Sequence, residues 1–255
     1  ACRWAVPVYV MLSGALLLDP ARTESASAFY KKRLARLGVP IVFWSFFYMW
    51  FSVYYTKWQS GEQAWMDLAL GKPYAHLHFV FRIAGLYAFT PMLRVFLAHA
   101  SRRMVLTLTL LTIGLAVADS AMTAYTGAEL SAFLRFAPFM AFYLVGYLLR
   151  ECTVSRRAFH ACWILGLGCA LILAGGTGLL VSIFGFKPYP SLGFLLYDFL
   201  SPVRVTMGVC AWLILLYVFD QRWLESRAGQ FTGRWLGPAT LGIYLAHPFF
   251  RDLCY

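Results

Sequence analysis

The sequence predicts an all-α fold, a polytopic helical bundle integral to a membrane with about eight transmembrane helices. Three observations predict it. Apolar residues fill 61% of the 255 positions and charged residues 13%, against about 45–50% and about 25% in soluble chains. The apolar excess is gathered into blocks, several of them reaching the roughly 17–25 residues that cross a hydrocarbon core as a helix. These runs are continuous and lack the alternation of a membrane barrel. Finally, Lys and Arg collect in every second connection between blocks.

Taken in order, the first span is read at Trp4–Leu18. No charged leader with a small-residue cleavage site precedes it, so it is not a signal peptide. The second, Leu37–Tyr55, follows the basic amphipathic run Phe29–Arg36 and carries Pro40 in its first turn. The third runs His76–Leu97, the fourth Met104–Ala118, the fifth Phe136–Leu149 and the sixth Ala161–Phe184. Val203–Phe219 and Leu236–Phe250 complete the set. Tyr189–Leu200 is apolar, short and flanked by prolines, which reads as an interfacial or re-entrant piece. The whole of 1–255 is read as one membrane domain.

Charge orients these spans. Arg22, Lys31, Lys32, Arg33 and Arg36 lie between spans one and two, and Arg102 and Arg103 between three and four. Arg150, Arg156 and Arg157 follow span five, and Arg222, Arg227 and Arg234 follow span seven, so these loops hold 13 of the 22 Lys and Arg residues. Positive residues stay cytoplasmic, which turns both ends of the chain outward. A net charge of +11 therefore reflects topology and anionic lipid, not nucleic acid. Cys152, Cys162, Cys169 and Cys210 show no CxxC or His-rich spacing, so no metal is expected and small apolar packing is their default role.

Function must come from polar groups that a bilayer should exclude, since a charge in a span costs about 2.5–3.5 kcal/mol on insertion scales. The third span opens His76-Leu77-His78-Phe79 and continues through Arg82 to Tyr87, Pro91 and Arg94. His78 and Arg82 are four apart and share a helix face, with His76 and Phe79 on a neighbouring one. That places a cation and two imidazoles at the outer mouth of a cavity; snorkelling of Arg82 is the plain alternative. In the last span Tyr244 and His247 share a face, and Pro248 frees a backbone carbonyl that something nearby must satisfy. A hydrogen-bonded packing histidine is the alternative there. Arg3 precedes Pro7, and Ser13-Gly14 would let another helix approach closely, a packing role that outweighs a nucleophilic one. The run Phe29–Arg36 is either a draw for an anionic phosphate or a positive-inside anchor.

These residues resemble acyltransferase family 3, the membrane acyltransferases of surface carbohydrates. The matching stretches are Arg3 with Pro7 and Met11-Leu12-Ser13-Gly14, then Phe29-Tyr30-Lys31-Lys32-Arg33-Leu34 running into Pro40. They continue with His76-Leu77-His78-Phe79 through Gly85-Leu86-Tyr87 to Pro91-Met92-Leu93-Arg94, then Tyr143–Leu149 and Gly242–His247. No one motif is specific; their order along nearly the whole chain is. The resemblance implies transfer of an acyl group, commonly acetyl from acetyl-CoA, to a sugar hydroxyl of a surface polysaccharide precursor in a bacterial inner membrane. Acyl-CoA would be a co-substrate, with no bound cofactor, and the partners would be the glycan acceptor, membrane lipid and envelope glycan assembly proteins.

Two departures accompany it. His78 stands where the family usually has Trp. The family's first helix carries an Arg and a His that form its leading catalytic pair, and this chain starts at what resembles the second helix and stops close to the last. The expectation is a piece truncated at the N-terminus and also at the C-terminus. Within it, His76, His78 and Arg82 are the candidate catalytic residues on the acceptor side. Arg3, Tyr87, Tyr244 and His247 are candidate substrate-binding residues. Histidine has the pKa for a general base near neutrality, and cationic groups suit a thioester oxyanion and CoA phosphates. The competing reading is a transporter or flippase for a lipid-linked sugar or small anion, which would use the same groups as a path; no internal repeat of the kind transporters show is visible.

Overall fold

A computed structural model describes the chain apart from residues 1–4, 72, 75, 127–135, 186–195, 197, 199, 220–222, 224 and 255. Arg3 and most of Tyr189–Leu200 lie outside the described residues. Among those described, every regular element is helical: α1 (Ala5–Leu17), α2 (Ala26–Tyr55), α3 (Gly61–Ala69), α4 (Leu77–His99) and α5 (Arg102–Thr126) come first. Then follow α6 (Ala137–Leu149), α7 (Arg156–Phe184), α8 (Pro202–Val218), α9 (Arg227–Phe231) and α10 (Gly237–Leu253).

Each expected span has a helix over it, but their lengths differ. By length and apolarity α2, α4, α5 and α7 are able to cross a membrane, while α1, α6 and α8 are shorter apolar helices of 10–17 residues. Thirteen residues rise only about 20 Å, short of the roughly 30 Å of a hydrocarbon core.

Three boundaries move for physical reasons. α2 starts at Ala26, not Leu37, so the basic run is the first part of the same 30-residue helix. Ser25 caps it by accepting from the Ala28 N–H at 3.2 Å. A wide π turn over Leu34–Gly38 then absorbs the rung that Pro40 has no N–H to fill. α5 runs past Ala118 because its polar residues find partners: Ser120 donates to the Asp198 carboxylate at 2.8 Å. α4 begins at Leu77, leaving His76 in the preceding turn.

The helices divide into two compact units, Ala1–Thr23 with Ala88–Val218, and Glu24–Tyr87 with Phe219–Tyr255. In the first, α1 packs on α6 and α8, α5 on α6, and α7 on α8. Glycine makes the α1–α6 crossing possible. A Cβ on Gly14 would meet the Tyr143 carbonyl oxygen at 1.9 Å, and one on Gly146 would meet the Met11 oxygen at 2.0 Å. The packing role expected of Gly14 is therefore real, and it is reciprocal. Two polar contacts tie this unit together internally: Arg94 Nε donates to the Leu17 carbonyl at 2.6 Å, and the Thr90 and Tyr143 hydroxyls meet at 2.8 Å. Cys162, Cys169 and Cys210 are buried free thiols, as small packing residues would be, whereas Cys152, in the turn after α6, is exposed and does not pack. A cavity of about 600 Å³ separates part of α7 from α8, lined by Trp163, Leu167, Met207, Cys210 and Arg204 among others.

The second unit is built on aromatic rings. Tyr48, Phe51, Tyr74, Leu77, Val80 and Leu245 form its buried core, with Trp44, Phe47, Leu241 and Phe249 packed against them. The apolar run of α2 supplies most of the rings, and α10 closes over them.

Candidate active site around His76 and His247

The site grows out of one residue that cannot complete its helix. Pro248 lies inside α10 and has no N–H, so the Tyr244 carbonyl one turn earlier loses its regular partner. The His247 ring supplies one: its Nδ1 lies 2.7 Å from the Tyr244 oxygen. A carbonyl only accepts, so Nδ1 carries the proton and Nε2 of the neutral ring keeps the lone pair.

The next rung is also served from side chains. Leu245 C=O and Phe249 N–H are the groups a regular helix would pair. The Tyr48 hydroxyl donates to the Leu245 oxygen at 2.8 Å and accepts from the Phe249 N–H at 3.2 Å. His76 reaches the same carbonyl, Nε2 to oxygen 3.2 Å, so Nε2 carries the proton and Nδ1 holds the lone pair. That Nδ1 is enclosed and has no hydrogen-bond partner among the described residues. The Tyr244 hydroxyl returns the contact by donating to the His76 carbonyl at 2.6 Å.

Two imidazoles of fixed tautomer thus face each other, ring centroids 5.4 Å apart. Tyr244 lies against both, at 5.5 Å from His76 and 5.7 Å from His247. Tyr48 meets His76 edge to face at 4.9 Å and stacks on Tyr74 at 4.4 Å. His76 is half-buried and His247 is exposed, so His247 is the ring open to an incoming molecule.

An acidic end completes the cluster. Tyr74 donates its hydroxyl to the Asp252 carboxylate, and Arg251 Nε bonds the other oxygen at 2.6 Å. Arg251 and Asp252 follow the apolar part of α10, which ends at Phe250. The Arg251 guanidinium, helped by Tyr74, holds the Asp252 carboxyl below the usual carboxylate range. A depressed folded-state pKa adds stability that is complete above the ordinary carboxylate range. That stability is lost as pH falls through the lowered value. Acid unfolding of the wild type should therefore have a component that Asp252→Asn lacks, read as unfolding temperature against pH. Identical acid limbs in the two proteins would contradict it.

The candidate residues divide cleanly. His76, Tyr244 and His247 come together, and the Arg82 charge is near enough to act on the Tyr244 hydroxyl. His78 is half-buried in the first turn of α4, one residue past the start of the helix that leaves His76 in the preceding turn. Tyr87 lies about 15 Å further along α4, where it packs edge on to Phe29 and beneath the Arg33 guanidinium. It belongs to the basic start of α2, not to the imidazole pair. Tyr48, Tyr74 and Asp252 were not among the candidates. Tyr48 sits in an aromatic run where one hydroxyl among rings gives no signal. Asp252 lies just past the apolar limit used to end the span.

A family model described as an acyltransferase domain matches residues 1–255. The chain belongs to acyltransferase family 3. No curated protein and no solved structure matches it. Family 3 membership makes it a membrane acyltransferase in general terms.

Proposed function

We propose that the protein is a membrane O-acyltransferase. It moves an acyl group, acetyl in this reading, from cytoplasmic acyl-CoA to a hydroxyl of an extracytoplasmic surface polysaccharide or lipid-linked sugar. Its setting is a bacterial inner membrane, with all eight helical segments crossing and both ends of the chain outward. The short helices α1, α6 and α8 cross as a packed set, α1 lying against both of the others.

The observation that carries this reading is the pair of imidazoles held on consecutive carbonyls of α10. Acyl transfer to a sugar needs the hydroxyl proton removed as the new C–O bond forms and the thioester C–S bond breaks. His247 Nε2, an available lone pair on an exposed ring, takes that proton, which ends on the departing thiol. His76 beside it and the Arg82 charge shape the field in which this happens. The basic start of α2, with Arg33 over Phe29 and Tyr87 at 5.1 and 5.6 Å, suits the anionic donor at the opposite end.

The test follows labelled acetyl from acetyl-CoA into surface glycan, in cells with and without the protein. Label should enter only when the protein is present. Equal labelling without it overturns the proposal. Loss of outward glycan with acetylation per glycan unchanged would establish transport instead.

A further inference from the structure

Tyr48 is in a position that packing alone does not require. Its ring is fully buried in the aromatic core of the second unit, where a phenylalanine would fill the same space. Its hydroxyl, however, occupies both ends of one rung of α10, accepting from Phe249 N–H and donating to Leu245 C=O. The same carbonyl receives His76 Nε2–H. The rung before it, opened by Pro248, is the one that orients His247 through Tyr244 C=O. One hydroxyl from α2 therefore holds the backbone segment from which both imidazoles take their tautomer and direction.

We propose that Tyr48 is a positioning residue for acyl transfer: its hydroxyl, inserted beside Pro248 in α10, fixes the geometry of the His76–His247 pair. The proposal rests on the acyl-transfer reading above. Without the hydroxyl, Phe249 N–H is left to close directly on Leu245 C=O, the regular α-helical rung. Closing it draws that carbonyl away from His76 and alters the turn that carries His247. Misplacement of the order of an ångström costs up to about 100-fold in rate.

The experiment compares wild type, Tyr48→Phe and His247→Gln in purified membranes, varying acetyl-CoA over a fixed glycan acceptor. Tyr48→Phe should lower kcat by roughly 10- to 100-fold with KM for acetyl-CoA within about twofold of wild type, since the donor end is untouched. A merely structural hydroxyl would lower the amount of folded protein and leave kcat per folded molecule unchanged, which overturns the proposal. Should Tyr48→Phe fold poorly, ¹⁵N-histidine spectra of the fraction recovered give the second reading. The signal of a ring protonated at Nδ1, present in the wild type and assigned by its loss in His247→Gln, should be lost or mixed in Tyr48→Phe. An unchanged signal overturns the proposal. Failure of the underlying reading looks different, because the wild type itself would then transfer no acetyl above membranes lacking the protein.

Discussion

His247→Gln should reduce acyl transfer by about 10²–10⁴-fold, the contribution of a positioned general base. Glutamine retains an amide N–H able to donate to the Tyr244 carbonyl, so the rung opened by Pro248 remains closed and α10 keeps its local geometry. What disappears is the basic lone pair at Nε2, the atom left free because Nδ1 is bound at 2.7 Å. The loss belongs in kcat, with KM for acyl-CoA little changed, because the ring is remote from the basic start of α2. Steady-state transfer in membranes with matched protein levels measures it. Activity within threefold of wild type would show that the imidazole is a packing residue.

Gly14→Ala should be the most damaging small change in the first unit, with Gly146→Ala its equal. Each adds a single methyl, yet each methyl would fall about 2 Å from a backbone carbonyl of the facing helix, at 1.9 Å and 2.0 Å. A flexible side chain can move aside; a helix backbone has to move as a body. Overpacking of this kind costs about 1–3 kcal/mol, and here the upper end is expected. The double variant should cost less than the sum, because separating α1 from α6 relieves both contacts at once. Gly114→Ala is the internal control: nothing lies within 4 Å of a Cβ there, and alanine gains up to about 1 kcal/mol of helix propensity. Thermal unfolding in detergent checks all four. Gly14→Ala unfolding at the wild-type temperature would contradict the crossing.

Much of this fold was legible because the bilayer imposes simple rules on composition. Continuous apolar runs marked the places of eight of the ten helices described, of which four are long and apolar enough to cross a membrane, and Ser13-Gly14 pointed to a close crossing before its partner was known. The limits of α2 were harder to read. Pro40 and the charges before it look like a break, and only the π turn at Leu34–Gly38 reconciles them with one helix. At the site, Pro248 announced a free carbonyl, and the structure shows His247, Tyr48 and His76 serving the two rungs beside it. The pairing of His76 with His247 was not legible, since 171 positions separate them in the chain. Local spacing favoured His78 and Arg82 as companions of His76 because four-residue neighbours are what a single helix displays. The ring that meets His76 comes from another helix, and that depends on how α2, α4 and α10 pack. Tyr74 and Asp252 were hidden for the same reason.

The central claim is that His76 and His247 act as one unit in acyl transfer, and a double-mutant comparison tests it most directly. Labelled acetyl transfer is measured for His76→Gln, His247→Gln and the double variant at equal amounts of folded protein. Residues that act as a unit are strongly non-additive, so the double variant should fall no further than the deeper single one. Two losses that multiply, or a double variant as active as wild type, would contradict it.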